Sequence, residues 1–494
     1  MNIRLLARQL GRFTLAFSLL PLPGAFCALC FLEWSMLGGF LAAMAIAAAI
    51  GLLLAFAGRH ARGHIFRGEG VALLGLGWLV ATAAAALPYL FAGQLGLVDA
   101  LFEAASNLTA SGFTVLAQGD TLPLSLVFWR AFACWAGGFA AILVFAVVLP
   151  HFGAGGRPHF SAGGGSSDPH ALGPRLRDTA RVLGSIYAGL TFSEIVLLRL
   201  AGMPFFDAAC HALGTLSTAG IRNATGLVPS YGSLQIELVL VAFMAISGSS
   251  FALYRSVLQG HWSAMLKNSE WRLYAAVLAG ATLLAAANLL GIQGETPRTP
   301  GEAPVAASFG HALRLAAFQV AAVVSGSNFC TGDYDAWPQF SRMLFLVLII
   351  VGPCSCTAGG GFKLFRVILL FKITRRRLEL TFRPKTIRAI RIDEEVVDTD
   401  TQKNLFGFCI LYGIALVSAG ILLSACGLPF ESATTAAIAA LSNAGAGLQL
   451  LGPLDTAAFL NAPAKLVLAL CMILGRLELY CIFILAVPSF WKRA

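Results

Sequence analysis

Long apolar runs, each bounded by Gly, Pro or charged residues, recur from one end of the chain to the other. The clearest are Leu37–Ala57, Val71–Ala92, Leu126–Leu149, Leu405–Cys426 and Leu466–Val487. Each is close to the ~20 apolar residues that an α-helix needs to cross a bilayer core. Shorter, half-polar segments stand between them: Leu97-Val-Asp-Ala-Leu-Phe-Glu-Ala, Pro204-Phe-Phe-Asp-Ala-Ala-Cys-His-Ala, Ala312-Leu-Arg-Leu-Ala-Ala-Phe-Gln-Val and Pro429-Phe-Glu-Ser-Ala-Thr-Thr-Ala-Ala. These cannot span, and predict half-helices that re-enter the membrane. A half-helix aims one end of its dipole at a pore, and a C-terminal end favours cations.

Each half-helix runs into a loop of small and polar residues. The loops read Ser106-Asn-Leu-Thr-Ala-Ser-Gly-Phe113, Gly214-Thr-Leu-Ser-Thr-Ala-Gly-Ile221, Val324-Ser-Gly-Ser-Asn-Phe329 and Leu441-Ser-Asn-Ala-Gly-Ala-Gly447. Polar backbone at membrane depth is tolerated only where protein or a water-filled cavity surrounds it. Four such loops predict a ring of carbonyls around an ion pathway.

A fixed interval aligns them. Nine residues separate Glu103 from Gly112 and His211 from Gly220, and the same step leads from Gln319 to Asn328 and from Ala436 to Gly445. The predicted fold is an all-α integral membrane protein with two N-terminal helices, at about 13–33 and 36–57, then four helix–pore-helix–helix repeats around a central pore. The boundaries fall at 1–69 for the extension, then 70–157, 158–266, 267–392 and 393–494 for the repeats. The candidate selectivity filter, which would hold the permeating cation, is Thr109, Ala110, Ser111 and Gly112; Ser217, Thr218, Ala219 and Gly220; Ser325, Gly326, Ser327 and Asn328; and Ser442, Asn443, Ala444 and Gly445. Glycine suits it, because inward carbonyls require backbone angles that a Cβ resists.

Composition agrees with a membrane class. The chain is 58% hydrophobic and 12% charged, against ~25% charged in a soluble domain. The net charge of +10 does not point to nucleic acid, because basic residues cluster where an even number of crossings returns the chain to one side. The clusters are Arg59–Arg67, Arg157–Arg181, Lys267–Arg272, Arg375–Arg391 and Lys492-Arg493, whereas Glu295–Glu302 falls on the other side. The positive-inside pattern predicts cytoplasmic termini. Arg4, Arg8 and Arg12 before an apolar stretch resemble a secretory signal, but Pro21 and Pro23 interrupt it and a second span follows at once, so a retained first helix is expected. The 11 cysteines lie mostly inside spans, which argues against a disulfide framework. Cys27-Ala-Leu-Cys30 has metal-like spacing without a second pair, and reads as packing.

Several ordered pieces carry a family resemblance: Phe128-Trp-Arg-Ala-Phe-Ala-Cys-Trp-Ala-Gly-Gly138, Pro174-Arg-Leu-Arg-Asp-Thr-Ala-Arg181, Gly359-Gly-Gly-Phe-Lys363 before Phe371-Lys372, and Gly475-Arg-Leu-Glu478 with Pro488-Ser-Phe-Trp-Lys492. Over nearly its whole length the chain resembles the Trk/Ktr/HKT superfamily of potassium transporters, specifically the bacterial Trk-type (TrkH-like) membrane subunit. The resemblance implies K⁺ uptake through a pore of four pseudo-equivalent repeats in the bacterial cytoplasmic (inner) membrane. It also implies a homodimer in membrane lipid and a cytosolic nucleotide-binding (NAD or ATP), TrkA-like regulatory subunit, with no cofactor on this chain.

In the family, the stretch matching Val351–Lys363 is a flexible intramembrane loop below the filter. Here one Pro and four Gly interrupt an otherwise apolar helix from about Phe340 to Phe371, which such residues unwind. The gate candidates are Gly359, Gly360, Gly361, Lys363 and Arg476. A buried Arg476 would repel cations below the filter; the competing reading is an interhelical salt bridge. Glu478, two residues on, points elsewhere. Lys363 has no partner nameable from sequence. Arg130 reads as snorkelling to the interface; Asp99 and Glu103 either draw cations or brace the first half-helix; His211 and Glu431 read as structural contacts.

The third loop departs from the family. Counting from Gln319 or back from Asp333-Tyr334-Asp335-Ala-Trp-Pro338 places Asn328 where the family has a filter glycine, and Gly326 could serve only if the register slipped. Asn tolerates positive φ better than most residues, so the expected consequence is weaker discrimination between K⁺ and Na⁺. A Na⁺-permeable or Na⁺/H⁺-coupled transporter is therefore the alternative. A membrane-embedded enzyme is remote: the 8 His and 24 Asp and Glu form no recognisable catalytic constellation, and no phosphate cradle follows a strand.

Overall fold

The computed structural model describes residues 2–61, 67–93, 95–116, 122–148, 172–220, 231–290, 308–384, 389–393 and 395–491. The acidic segment 295–302, most of the basic cluster 157–181, part of 59–67 and the terminal Lys492-Arg493 lie outside these residues. Among the described residues, seven helices are long and apolar enough to cross a membrane, or nine if each sharply bent pair is one span.

The N-terminal part is α1 (Ile3–Phe17), α2 (Leu22–Cys30) and α3 (Trp34–Ala57). The break between α1 and α2 falls at Pro21, and the first helix begins at Ile3 rather than near residue 13. A Cβ on Gly11 would lie 2.3 Å from the Ala55 nitrogen. Small residues thus let α1 and α3 touch backbone to backbone, as membrane helices do.

Four sets of helices follow. The first is α4 (Arg67–Phe91), short α5 (Leu97–Leu108) and α6 (Leu124–Leu143); the second is α7 (Leu172–Leu200), short α8 (Phe205–Ser217) and α9 (Leu234–Ser247). α9 turns through 98° into α10 (Phe251–Leu258), which precedes α11 (Trp262–Lys267). The third set is α12 (Ser269–Leu290), α13 (Phe309–Ser325), α14 (Gln339–Val351) and α15 (Leu364–Phe382). A two-stranded hairpin, β1 (Arg391–Ile392) with β2 (Glu395–Val396), leads to the fourth: α16 (Thr399–Ala425), short α17 (Phe430–Leu441) and α18 (Ala462–Arg476). After α18 the chain bends by 114° into Tyr480–Ala486.

The short helices α5, α8, α13 and α17 are 12, 13, 17 and 12 residues long. At 1.5 Å per residue the shortest reach about 18 Å, well short of a ~30 Å bilayer core. Their C-terminal halves are almost wholly buried. Large apolar side chains face outward, among them Leu200, Phe371, Ile410, Ile421 and Phe430, as a lipid-facing belt requires.

Candidate functional site

The C-termini of α5, α8, α13 and α17 feed four loops that share one backbone course. Ala110, Thr218, Gly326 and Asn443 have φ of 49°, 60°, 79° and 50°, and two residues on Gly112, Gly220, Asn328 and Gly445 have φ of 84°, 52°, 54° and 60°. The residue between each pair donates its N–H back into the helix: Ser111 to Ser106, Ala219 to Gly214, Ser327 to Ala322 and Ala444 to Ala439, at 2.8–3.0 Å. A left-handed residue closing a helix by such a six-residue hydrogen bond satisfies carbonyls that the helix would leave open. Asn328 therefore stands in the register of the three glycines, and Gly326 is the counterpart of Ala110, Thr218 and Asn443.

The loops converge in a definite order. A Cβ on Gly112 would lie 2.6 Å from the Ala219 carbonyl, one on Gly220 1.6 Å from the Ser327 carbonyl, and one on Gly445 2.0 Å from the Ser111 carbonyl. Loop one thus abuts loop two, two abuts three, and four abuts one. Only glycine permits both the φ and this approach. The hydroxyls of Thr109, Ser217 and Ser325 turn back onto carbonyls one helical turn earlier, at 2.7 Å each. These three hydroxyls are thus engaged within their own helices, while the carbonyls of Ser111, Ala219 and Ser327 lie against neighbouring loops.

The segment 352–363 between α14 and α15 lies directly against the loops. A Cβ on Gly359 would be 2.7 Å from the Ser325 carbonyl, and one on Gly360 2.2 Å from the Ser442 carbonyl. Arg476, 1% exposed at the end of α18, donates to the carbonyls of Ala358 and Thr109. One guanidinium therefore ties this segment to loop one. No acid pairs with Arg476 among the described residues, so the salt-bridge reading does not hold. Glu478 instead pairs with Arg366 at 2.5 Å. Buried Lys363 donates to Thr357 Oγ1 at 3.0 Å and to the Gly359 carbonyl. Gly361 adopts φ 83° and packs against Gly352.

Glu270 on α12 holds both ends of this segment, and nothing in the sequence pattern singled it out. Its Oε1 accepts from the Ser355 N–H at 2.6 Å and the Phe365 N–H at 3.2 Å. The Cys354 N–H donates to the Gly248 carbonyl at 3.0 Å, and the Phe251 N–H to the Cys356 carbonyl at 3.2 Å. The segment is thereby laced to the α9–α10 bend.

Arg130 does not snorkel. It is 5% exposed, donating Nε to Glu103 at 2.9 Å and Nη2 to Thr114 Oγ1 at 3.1 Å. Glu103, fully buried, also accepts from Thr114 Oγ1 at 3.0 Å and the Val115 N–H at 3.2 Å. The acid draws Arg130 inward because each charge satisfies the other. Asp99 pairs with Lys465 at 2.6 Å, so both acids brace α5. Arg342 reaches Asp335 and Glu431 at 2.9 Å each, and Arg314 reaches Glu237 at 2.6 Å. These pairs join sets two to three, three to four and four to one near the starts of the short helices. His211 is buried against Phe329 and Tyr231, at 5.4 and 5.9 Å between ring centroids. Among the described residues no His, Cys, Asp and Glu cluster could hold a metal ion.

The profile of the family described as TrkH, cation transport protein, matches residues 39–493. The Trk system potassium uptake protein TrkH of Salmonella typhimurium is 30% identical, with all of both chains covered. The protein of the same name from Halomonas elongata is 29% identical, again over the full length of both. The crystal structure of the potassium transporter TrkH from Vibrio parahaemolyticus superposes with a TM-score of 0.87 at 28% identity, covering all of both chains. The chain belongs to the TrkH family of cation transport proteins.

Proposed function

We propose that this protein is the channel-like subunit of a bacterial potassium uptake system, passing K⁺ through four re-entrant loops in the cytoplasmic membrane with both termini inside. The observation that carries the reading is the common backbone of the loops, with left-handed positions at 110/112, 218/220, 326/328 and 443/445. Four chemically different sequences share a conformation whose use is to aim carbonyls at a cation. The full-length relatives named as potassium uptake proteins supply the ion.

Segment 352–363 and Arg476 form the gate. The segment lies across the carbonyls of Ser325 and Ser442, and Arg476 places a fixed positive charge at Thr109. A cation leaving the filter inward meets both. Displacing Gly359–Gly361 moves Ala358 away from Arg476 and opens the route. Its drivers in this reading are a cytosolic nucleotide-binding, TrkA-like subunit and the dimer made with a second copy.

A second reading, a transporter that also admits Na⁺, rests on Asn328. It breaks the glycine ring and places an amide among the carbonyls, changing the field that separates the two ions. Flux of Rb⁺, K⁺ and Na⁺ into liposomes holding the purified chain, with and without a regulatory subunit, tests both readings. Selective Rb⁺ and K⁺ entry supports the first, comparable Na⁺ entry supports the second, and no cation entry under any condition removes both. Growth of a K⁺-uptake-deficient bacterium on low-K⁺ medium checks the result in cells.

A further inference from the structure

The abutments 1–2, 2–3 and 4–1 set the loops in a ring in which loop three faces loop one. Asn328 sits in loop three, half-buried, with its backbone in the left-handed region. Its Nδ2 donates to the Ser111 carbonyl of the opposite loop at 2.7 Å and to the Gly326 carbonyl of its own loop at 3.3 Å. The same nitrogen would lie 2.7 Å from a Cβ on Gly112 and 2.5 Å from a Cβ on Gly445. One amide nitrogen thus stands among loops one, three and four at once.

Its chemistry suits the place. Carbonyl oxygens aimed at a cation are acceptors, and an amide N–H₂ brings two donors and no competing lone pair on that atom. We propose that the Asn328 carboxamide is a tethered occupant of a cation site between the loops, bridging opposite loops until a permeating ion displaces it. This rests on the reading of the four loops as a filter and adds a regulatory element to it. A neutral hydrogen bond to a carbonyl is weak enough in net terms to open. The bridge therefore raises the ion concentration needed for entry without sealing the pathway. The ring glycines cannot do the same, having no side chain, so the device depends on the single departure from glycine.

The test is initial-rate ⁸⁶Rb⁺ uptake into liposomes across a range of Rb⁺ concentrations, for wild type, Asn328→Gly, Asn328→Asp and Gly112→Val. Removing one neutral hydrogen bond from the competition lowers the half-saturating concentration in Asn328→Gly by about 5-fold, within a range of roughly 2- to 12-fold. Asn328→Asp keeps the shape but replaces the donors with a carboxylate, so millimolar Ba²⁺ blocks it and leaves wild type unaffected. An unchanged half-saturation in Asn328→Gly overturns the bridge. If Asn328→Gly fails to fold, Asn328→Ser serves, being too short to reach Ser111 yet able to hold the loop, and the same shift is required of it. Gly112→Val separates the two layers. If it abolishes uptake while Asn328→Gly matches wild type, only the bridge fails; if Gly112→Val itself carries wild-type flux, the filter reading fails.

Discussion

Arg130 and Glu103 form a buried ion pair behind the first of the four loops, and its removal has a calculable cost. Glu103 has no solvent exposure and accepts from Arg130 Nε, Thr114 Oγ1 and the Val115 N–H. Arg130→Met leaves the carboxylate with two neutral donors and no counter-charge, a loss of about 3–5 kcal/mol for a buried pair. Glu103→Gln strands the guanidinium in the same way. In the double variant neither charge remains, and Gln can still accept from Val115 and Thr114. It should therefore be less unstable than the two single losses summed, by about 0.5–3 kcal/mol. Thermal unfolding in detergent at one fixed scan rate, followed by size-exclusion fluorescence, places Arg130→Met below wild type and the double variant above the value that the two single losses sum to. ⁸⁶Rb⁺ uptake by Arg130→Met should likewise fall below wild type, because Thr114 lies two residues beyond Gly112. Equal stability of Arg130→Met and wild type, or strict additivity in the double, would refute the reasoning.

Other substitutions probe different contacts. Gly137→Ala places a Cβ 2.0 Å from the Leu108 carbonyl, and Gly475→Ala does the same to the Leu441 carbonyl; each should cut uptake severely in protein that still inserts, since such crowding costs about 1–3 kcal/mol or more and moves the base of a loop. Arg476→Met removes the charge and both carbonyl contacts, and should raise Rb⁺ flux in the absence of any regulatory subunit. Glu270→Ala strands the Ser355 and Phe365 N–H groups, at about 1–3 kcal/mol, so basal flux should rise; Glu270→Gln, which keeps an acceptor, should stay near wild type.

The spans, the four loops and their register were legible in sequence because length, hydropathy and spacing are local properties. Counting nine residues from Glu103, His211, Gln319 and Ala436 found the four positions that share positive φ, including Asn328. The interrupted helix between Val351 and Lys363 was legible for the same reason, since Pro and Gly disrupt helices wherever they cluster. Long-range pairing was not. Arg130 read as snorkelling because its partner Glu103 lies 27 residues away on another helix. Glu270 stood near a basic cluster with nothing local to connect it to Ser355, 85 residues further on. Arg342, Arg314 and Lys465 lie near the ends of apolar helices, where sequence offers many acids and no means of choosing one. The reach of Asn328 to Ser111 spans 217 residues and becomes visible only when the loops close into a ring.

Gly220 tests the central claim most directly, because a Cβ there would stand 1.6 Å from the Ser327 carbonyl and could be placed only by forcing two loops apart. ⁸⁶Rb⁺ uptake into liposomes should be robust for wild type and absent for Gly220→Val, with both proteins eluting as the same folded species. Wild-type uptake by folded Gly220→Val would contradict the account, since ions would then cross without a ring closed at these loops.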